Sequence, residues 1–328
     1  MSDSAAPESA PRKGSLRDLL PRLFREKKLG AVGLIIVLEF FLVGVLADVL
    51  ATHDLRDQNL RRALEGPSAD YPLGTDQFGR DQLTRLIHGA RVSMIVGVGA
   101  VAIGLVIALF FGLLSGYWGG TFDLIVQRFV DAWLTFPWLF IVLTVMSLIG
   151  QGIVPMLIVL GAFTGIGNIR TVRGVVLSTK QNAYVESARA VGAGTWRILL
   201  KHVLPQVWPP VIVVFTISLG AVILSESTIS FLGFGIPPPQ PSWGGMLSLE
   251  GRRYMERAPL LAIWPGLSLA IVVYGINMFG DALRDLLDPR LTGGVGRLGG
   301  SAKVEKVEKA STASPAGEAD SVEGVDSG

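Results

Sequence analysis

Six apolar runs, at residues 29–50, 92–117, 130–149, 153–169, 207–232 and 260–283, each approach the ~20 residues that a helix needs to cross a bilayer. They restrict the chain to an all-α integral membrane protein with six transmembrane helices. The rest of the composition agrees. Half of the 328 residues are hydrophobic, 17% are charged and the mean hydropathy is +0.49, so length alone does not imply two globular domains. Arg128 and Asp131 place the start of the third run near an interface, and Gly161, Gly165 and Gly167 weaken the fourth as an isolated helix. In the second run Gly97, Gly99, Gly104 and Gly112 allow neighbouring helices to approach closely.

Lys and Arg collect on the cytoplasmic side of membrane proteins. With six spans and the amino terminus inside, twenty of the 29 basic residues fall on cytoplasmic segments. Arg56, Arg61, Arg62, Arg80, Arg85 and Arg91 oppose this count from the first external loop, where seven acids between Asp48 and Asp81 partly offset them. Both termini are therefore expected inside, at a plasma or inner membrane. The first run follows 28 residues that carry seven basic groups and exceeds a typical signal-peptide core, so it reads as a retained anchor. No cysteine is present, which excludes a disulfide framework and thiol chemistry.

Residues 1–14 and 292–328 are small and polar, too poor in large apolar groups to offset the entropy of ordering, and are expected as disordered tails. Between the first tail and the first span, at 15–28, Leu16, Leu19, Leu20, Leu23 and Phe24 recur at helical spacing among Arg17, Arg22, Arg25, Lys27 and Lys28. That pattern predicts a helix lying on the inner leaflet, with docking to a partner as the alternative. An extracytoplasmic loop follows at 51–91, then a core domain at 92–291 that holds five spans.

One polar stretch interrupts this core. Residues 184–205, YVESARAVGAGTWRILLKHVLP, begin with good helix formers, continue through Gly192 and Gly194, and resume at Thr195. The expectation is a helical hairpin with a glycine turn, in which Thr195 caps the second helix, Arg197 and Lys201 share one side, and Pro205 ends it. Taken alone, such a hairpin reads either as a docking element or as an amphipathic loop lying on the lipid surface.

The stretch resembles the "EAA" loop of ATP-binding-cassette importer permeases through Glu186, Ser187, Ala188, Gly192, Leu204 and Pro205, with Ser187 replacing the usual Ala. Three further stretches resemble dipeptide and oligopeptide importer permeases. These are LGTDQFGRDQLTRLIHGAR from Leu73 to Arg91, ESTISFLGFGIPPPQPSWGGML from Glu226 to Leu247, and GDALRDLLDPRL from Gly280 to Leu291. Thr84 stands where that family usually has Ser, and Trp243 reads as an interfacial residue. The matches cover about two-thirds of the chain and point to the C-type member of the permease pair.

The resemblance implies a type I importer permease fold with a cytoplasmic coupling hairpin. It further implies a heterodimer with a homologous permease, two ATPase subunits inside and an extracytoplasmic substrate-binding protein. Glu186, Ser187, Ala188, Arg189 and Gly192 would form the ATPase contact, with Leu204 and Pro205 fixing the second helix. Peptides would be the cargo, with nickel chelates an alternative of the same family.

The chain itself is not expected to be an enzyme. It has no GxxxxGK[ST] phosphate loop, and no set of nucleophile, base and oxyanion donors can be assembled. His53, His88 and His202 are scattered over two sides of the membrane, which argues against a metal cluster. No cofactor is expected in this chain; ATP and magnesium belong to the partner subunits. Glu39 lies near the middle of the first run and Glu226 near an end of the fifth, and an intramembrane acid is a functional candidate by default. Both are candidate pore or vestibule groups. Glu39 could also contact a neighbouring helix or carry a proton, and a proton-coupled secondary transporter or channel is the competing class.

Overall fold

The computed structural model describes residues 16–287; the expected tails at 1–14 and 292–328 lie outside the described residues. The helices run α1 (Leu16–Glu26), α2 (Lys28–Val45), α3 (Ala47–Leu50), α4 (Gln82–Trp118), α5 (Gly120–Thr135), α6 (Trp138–Ile149), α7 (Ile153–Thr179), α8 (Ala183–Ala190), α9 (Thr195–Ile198), α10 (Leu204–Phe231), α11 (Trp243–Gly245) and α12 (Leu260–Leu287). Among the described residues the only β pairing is an isolated bridge between Thr75 and Asp81. Five helices are long and apolar enough to cross a membrane: α2, α4, α7, the continuous run from α9 through α10, and α12. Many of their large apolar side chains, Val106, Val154 and Tyr274 among them, stay exposed, as a lipid-facing surface requires.

The third apolar run departs from expectation. It is not one straight helix but the pair α5 and α6, bent by 89° at Phe136 and Pro137. Pro137 lacks an amide proton and disfavours helical geometry at the residue before it, and Phe136 is extended. Counted as one broken span, the pair brings the total to six.

The second span also differs, because its helix begins ten residues ahead of the apolar run, at Gln82. Its 37 residues extend about 55 Å at ~1.5 Å each, well beyond a ~30 Å hydrocarbon core. Small residues at every fourth position, Ala100, Gly104, Ala108, Gly112 and Gly116, lie buried along α4. They allow α7 to pack against α4 along most of its length. A Cβ on Gly104 would sit 3.0 Å from the Gly165 nitrogen, and one on Gly112 would sit 2.7 Å from Val172. The close packing expected of Gly104 and Gly112 is thus met by α7, with Gly161 and Gly165 on its facing side. On α2, Gly33 does the same against the α12 backbone, 2.6 Å from the Gly275 oxygen.

The segment ahead of α4 is an anchor built from buried polar groups. Asp76 is fully buried, accepts from Arg80 Nε at 2.6 Å and lies 3.3 Å from an Arg85 amino group. Gly79 takes φ +69 there, and a Cβ on it would fall 1.8 Å from the Asn59 oxygen. Asp81 caps α4, accepting from the Thr84 amide at 2.9 Å, the Thr84 hydroxyl at 2.7 Å and Thr52 at 2.6 Å. Burial pushes the Asp81 carboxyl up, but the hydrogen bonds from Thr52 and Thr84 outweigh it and leave the group below the usual carboxylate range. Arg91 reaches back to the end of α2, donating to the Gly44 oxygen at 2.9 Å and to Asp48 at 2.8 and 2.9 Å. That bidentate pair, assisted by His88, lowers the Asp48 pKa. Trp243 is not interfacial as expected. It is buried over Gly89 and donates its indole N–H to the Leu86 oxygen at 3.0 Å.

Candidate functional site

At the opposite end of α4 and α7 the chain folds into the predicted hairpin. Val185, Ile198 and Val203 are fully or almost fully buried and pack with Val172 and Val176 of α7 and Val207 and Val211 of α10. One face of α8 and α9 is thereby cemented onto the ends of the two long helices that flank it. Trp196 meets Trp118, at the end of α4, edge to face with centroids 6.4 Å apart. Lys180 donates to the Gly116 oxygen at 2.8 Å, tying the entry of the hairpin to α4.

The sequence-predicted contact residues lie on the other face. Glu186, Ser187, Arg189 and Gly192 are exposed and Ala188 is half-buried. Ser187 donates its hydroxyl to the Ala183 oxygen at 2.9 Å, which satisfies it within the helix. Gly192 has φ +79 with open space around it, so the turn needs glycine for its backbone angle and not for clearance.

Three details of the hairpin are corrected. Gly194 is extended, with φ −66, and is itself the N-cap position; Thr195 is the first residue of α9 and makes no cap. Pro205 does not end the second helix. It lies in the first turn of α10, where proline is tolerated, and the helical path from Thr195 to Phe231 continues through a π-turn at Leu199–Val203. Leu204 is half-buried and Pro205 exposed, so the pair forms the joint between hairpin and span.

The free face also holds apolar side chains that the motif does not include. Val191 is 85% exposed, Trp196 59% and Leu200 58%. Together with Glu186, Arg189, Arg197 and Lys201 they make a mixed apolar and charged surface outside the membrane-crossing body. Their spacing in the sequence marks amphipathicity, but only the fold shows which apolar residues face outward.

The two intramembrane acids are not brought together. Glu226, expected at a vestibule, is sealed in the interior of α10 instead. It accepts hydrogen bonds from Ser230 at 2.8 Å, Ser93 of α4 at 3.2 Å and Ser227 at 3.3 Å, and is fully buried. Three neutral hydroxyls enclose it, so it holds α4 to α10 and does not face an open path. Ser227 and Ser230 are close in sequence, but nothing in the sequence links Ser93 to this acid. Glu39 lies exposed on α2, and no partner among the described residues meets it.

A family model described as "Binding-protein-dependent transport system inner membrane component" matches residues 89–293. The chain belongs to this family. A dipeptide transport system permease protein DppC from Alkalihalophilus pseudofirmus is 37% identical over 267 residues, covering 81% of this chain and 88% of that protein. A glutathione transport system permease protein GsiD from Pectobacterium atrosepticum is 37% identical over 276 residues, covering 84% and 91%. GsiD from Escherichia coli O157:H7 is also 37% identical over 276 residues, with 83% and 90% covered. The permease of an ATP-binding-cassette importer is thus the established class, with the type I permease fold, and the reading as a stand-alone proton-coupled carrier is set aside.

Proposed function

We propose that this chain is one of two homologous permease subunits that together form the pore of an ATP-driven peptide importer, and that residues 184–205 are its ATPase-docking element. The observation that carries the reading is the two-sided hairpin. One face is fixed by Val185, Ile198 and Val203 onto the ends of α7 and α10, and the other presents Glu186, Arg189, Val191 and Trp196 to whatever lies beyond the membrane. An element of this shape carries motion from a partner into the span because its buried face cannot slide independently of the helices it caps.

In this reading two ATPase subunits bind the hairpins from the cytoplasm and hold the ATP and magnesium. An extracytoplasmic receptor delivers cargo to the other end. Closure of the ATPase pair pulls on Glu186, Ser187, Ala188, Arg189 and Gly192, and the joint at Leu204 and Pro205 passes the displacement to α10. Both termini are cytoplasmic, a reading supported by the concentration of twenty of 29 basic residues on that side. On the same side α1 lies against the inner leaflet, supported by exposed Leu20 and Phe24 beside Arg22 and Arg25. Peptide cargo is supported by the names of the relatives, a dipeptide permease and glutathione permeases.

The test is ATP-driven uptake of a radiolabelled dipeptide by the co-expressed assembly. Gly192→Pro should leave the chain inserted and the complex able to hydrolyse ATP, but uptake should fall to background. Normal uptake by that variant contradicts the assignment of the turn. Uptake of a nickel chelate in place of dipeptides moves the cargo within the family.

A further inference from the structure

A cavity of about 220 Å³ opens between α6, α7 and α10. Its wall carries Trp138 from α6, Thr164, Gly167 and Asn168 from α7, and Ser218 and Ser225 from α10. No charged residue lines it. Leu160, Phe163, Ala221 and Val222 complete the wall, so the polar groups are set among apolar ones. A second cavity, of about 400 Å³ between α2, α4, α10 and α12, is walled almost wholly by apolar side chains such as Val37, Leu105, Ile212 and Phe215.

We propose that the cleft between α6, α7 and α10 is this subunit's half of the cargo path, and that it takes peptides through their backbone amides and not through side-chain charge. The proposal rests on the importer reading above and names the surface its cargo meets. Three observations converge on it.

The hydroxyl and amide groups are satisfied internally yet keep acceptors to offer. Ser218 donates to the Val214 oxygen at 2.9 Å, Ser225 to the Ala221 oxygen at 2.8 Å, and Asn168 to the Thr164 oxygen at 2.9 Å. Each side-chain oxygen keeps lone pairs for a passing N–H, and the Asn168 amide carries a second N–H beyond the one given to Thr164. A neutral lining of this kind pairs with the amide groups common to every peptide and leaves selection by side chain to another component.

Gly167 leaves space that the fold does not use. A Cβ built there meets nothing within 4 Å, whereas the glycines on the α4 side of the same helix, Gly161 and Gly165, would clash at 2.7 and 2.8 Å. Packing therefore explains Gly161 and Gly165 but not Gly167.

The main walls are the two helices joined by the hairpin. α7 is locked to α4 by the small-residue stripe, while α10 begins at the π-turn and contains Pro209 and Pro210 in its interior. The hairpin end of α10 is the softer joint, so displacement of the hairpin alters this cleft before it alters the α4–α7 contact.

The absence of cysteine from the chain makes the test direct. Ser218→Cys, Ser225→Cys and, as a control on the apolar groove, Ile212→Cys would be made one at a time in the full co-expressed assembly. Each would be exposed to a membrane-impermeant maleimide, and labelling of this chain read with and without ATP plus vanadate. The two serine variants should label at least about tenfold faster than the control, with a rate that depends on nucleotide, and dialanine with the receptor should slow them. Equal, nucleotide-independent labelling of all three overturns the cleft as a water path. Fast labelling that no dipeptide slows overturns the peptide half of the proposal, while ATP-dependent labelling would still stand for coupling.

Gly167→Phe should keep the complex and its ATP hydrolysis yet lower dialanine uptake at least about tenfold; wild-type uptake overturns the path. Asn168→Asp should raise the ratio of lysyl-alanine to glutamyl-alanine uptake at least about fivefold through the new charge. An equal loss for both dipeptides would mark Asn168 as merely structural.

Discussion

Residues 71–91 and residues 183–205 are both polar, charged stretches attached to an apolar body, and they use their charges in opposite ways. In the first, Asp76, Arg80, Asp81 and Arg85 are buried, Asp76 between the two guanidinium groups and Asp81 on the Thr52 and Thr84 hydroxyls and the Thr84 amide. In the second, Glu186, Arg189, Arg197 and Lys201 are exposed and make no ion pair among the described residues, while the buried positions are apolar. Both stretches match signatures of one family. The difference separates charges used inside the fold from charges left on its surface, a distinction that motif matching alone does not make.

Substitutions that leave one region intact while breaking the other test this contrast. The largest effect is expected at Asp76. Asp76→Ala leaves two buried guanidinium groups without their carboxylate and should destabilise the protein by ~3–5 kcal/mol. Thermal unfolding in detergent and yield in the membrane would both report it. Glu186→Ala, on an exposed site, should leave the melting temperature unchanged within error and reduce only the recovery of an ATPase partner. A comparable loss of stability in both variants would break the comparison.

The next effect concerns the two left-handed glycines. Gly79→Ala meets both an unfavourable φ and the Asn59 oxygen, so it should lower stability by more than the ~1–2 kcal/mol that the backbone angle alone costs. Gly192→Ala meets the angle only and should stay within that range, with any defect appearing in ATP-driven uptake. Unfolding curves of the two variants side by side decide it.

The smallest effect is in pH. Asp81 has a folded pKa below its ordinary 3.8, so its contribution is fully present above about pH 4 and disappears as pH falls through the lower folded value. The melting temperature of Asp81→Asn should therefore lie below wild type by a constant amount at neutral and mildly acidic pH. Below about pH 4 the two curves should converge. A gap that widens toward acid contradicts the sign.

Much of this architecture is legible in the sequence, for identifiable reasons. The apolar runs locate α2, α7, α10 and α12 because lipid exposure demands long, nearly unbroken hydrophobic stretches. The hairpin is legible because helix formers, a glycine and a second helical pattern occur in order. The start of α4 is legible as a Gly/Asp turn leading into a capped helix, but its contact with Thr52, 29 positions from Asp81, is not, because local spacing does not reveal it. The break at Phe136 and Pro137 disappears in a hydropathy reading because both residues are apolar, although proline chemistry predicts it. The role of Glu226 needs Ser93, 133 positions away, which local spacing does not reveal. Pro205 reads as a stop only when a helix is assumed to end at proline. Here it enters the first turn of the next segment.

The central claim is that the free face of the hairpin is a contact surface and not part of the fold. The most direct test is a detergent pull-down of this chain co-expressed with a homologous permease and ATPase subunits, wild type beside Glu186→Arg, with melting temperatures taken on the same preparations. The account predicts that the variant loses the ATPase, keeps the permease partner and melts as wild type does. Retention of the ATPase at the wild-type level, or joint loss of both partners with a lowered melting temperature, would contradict it.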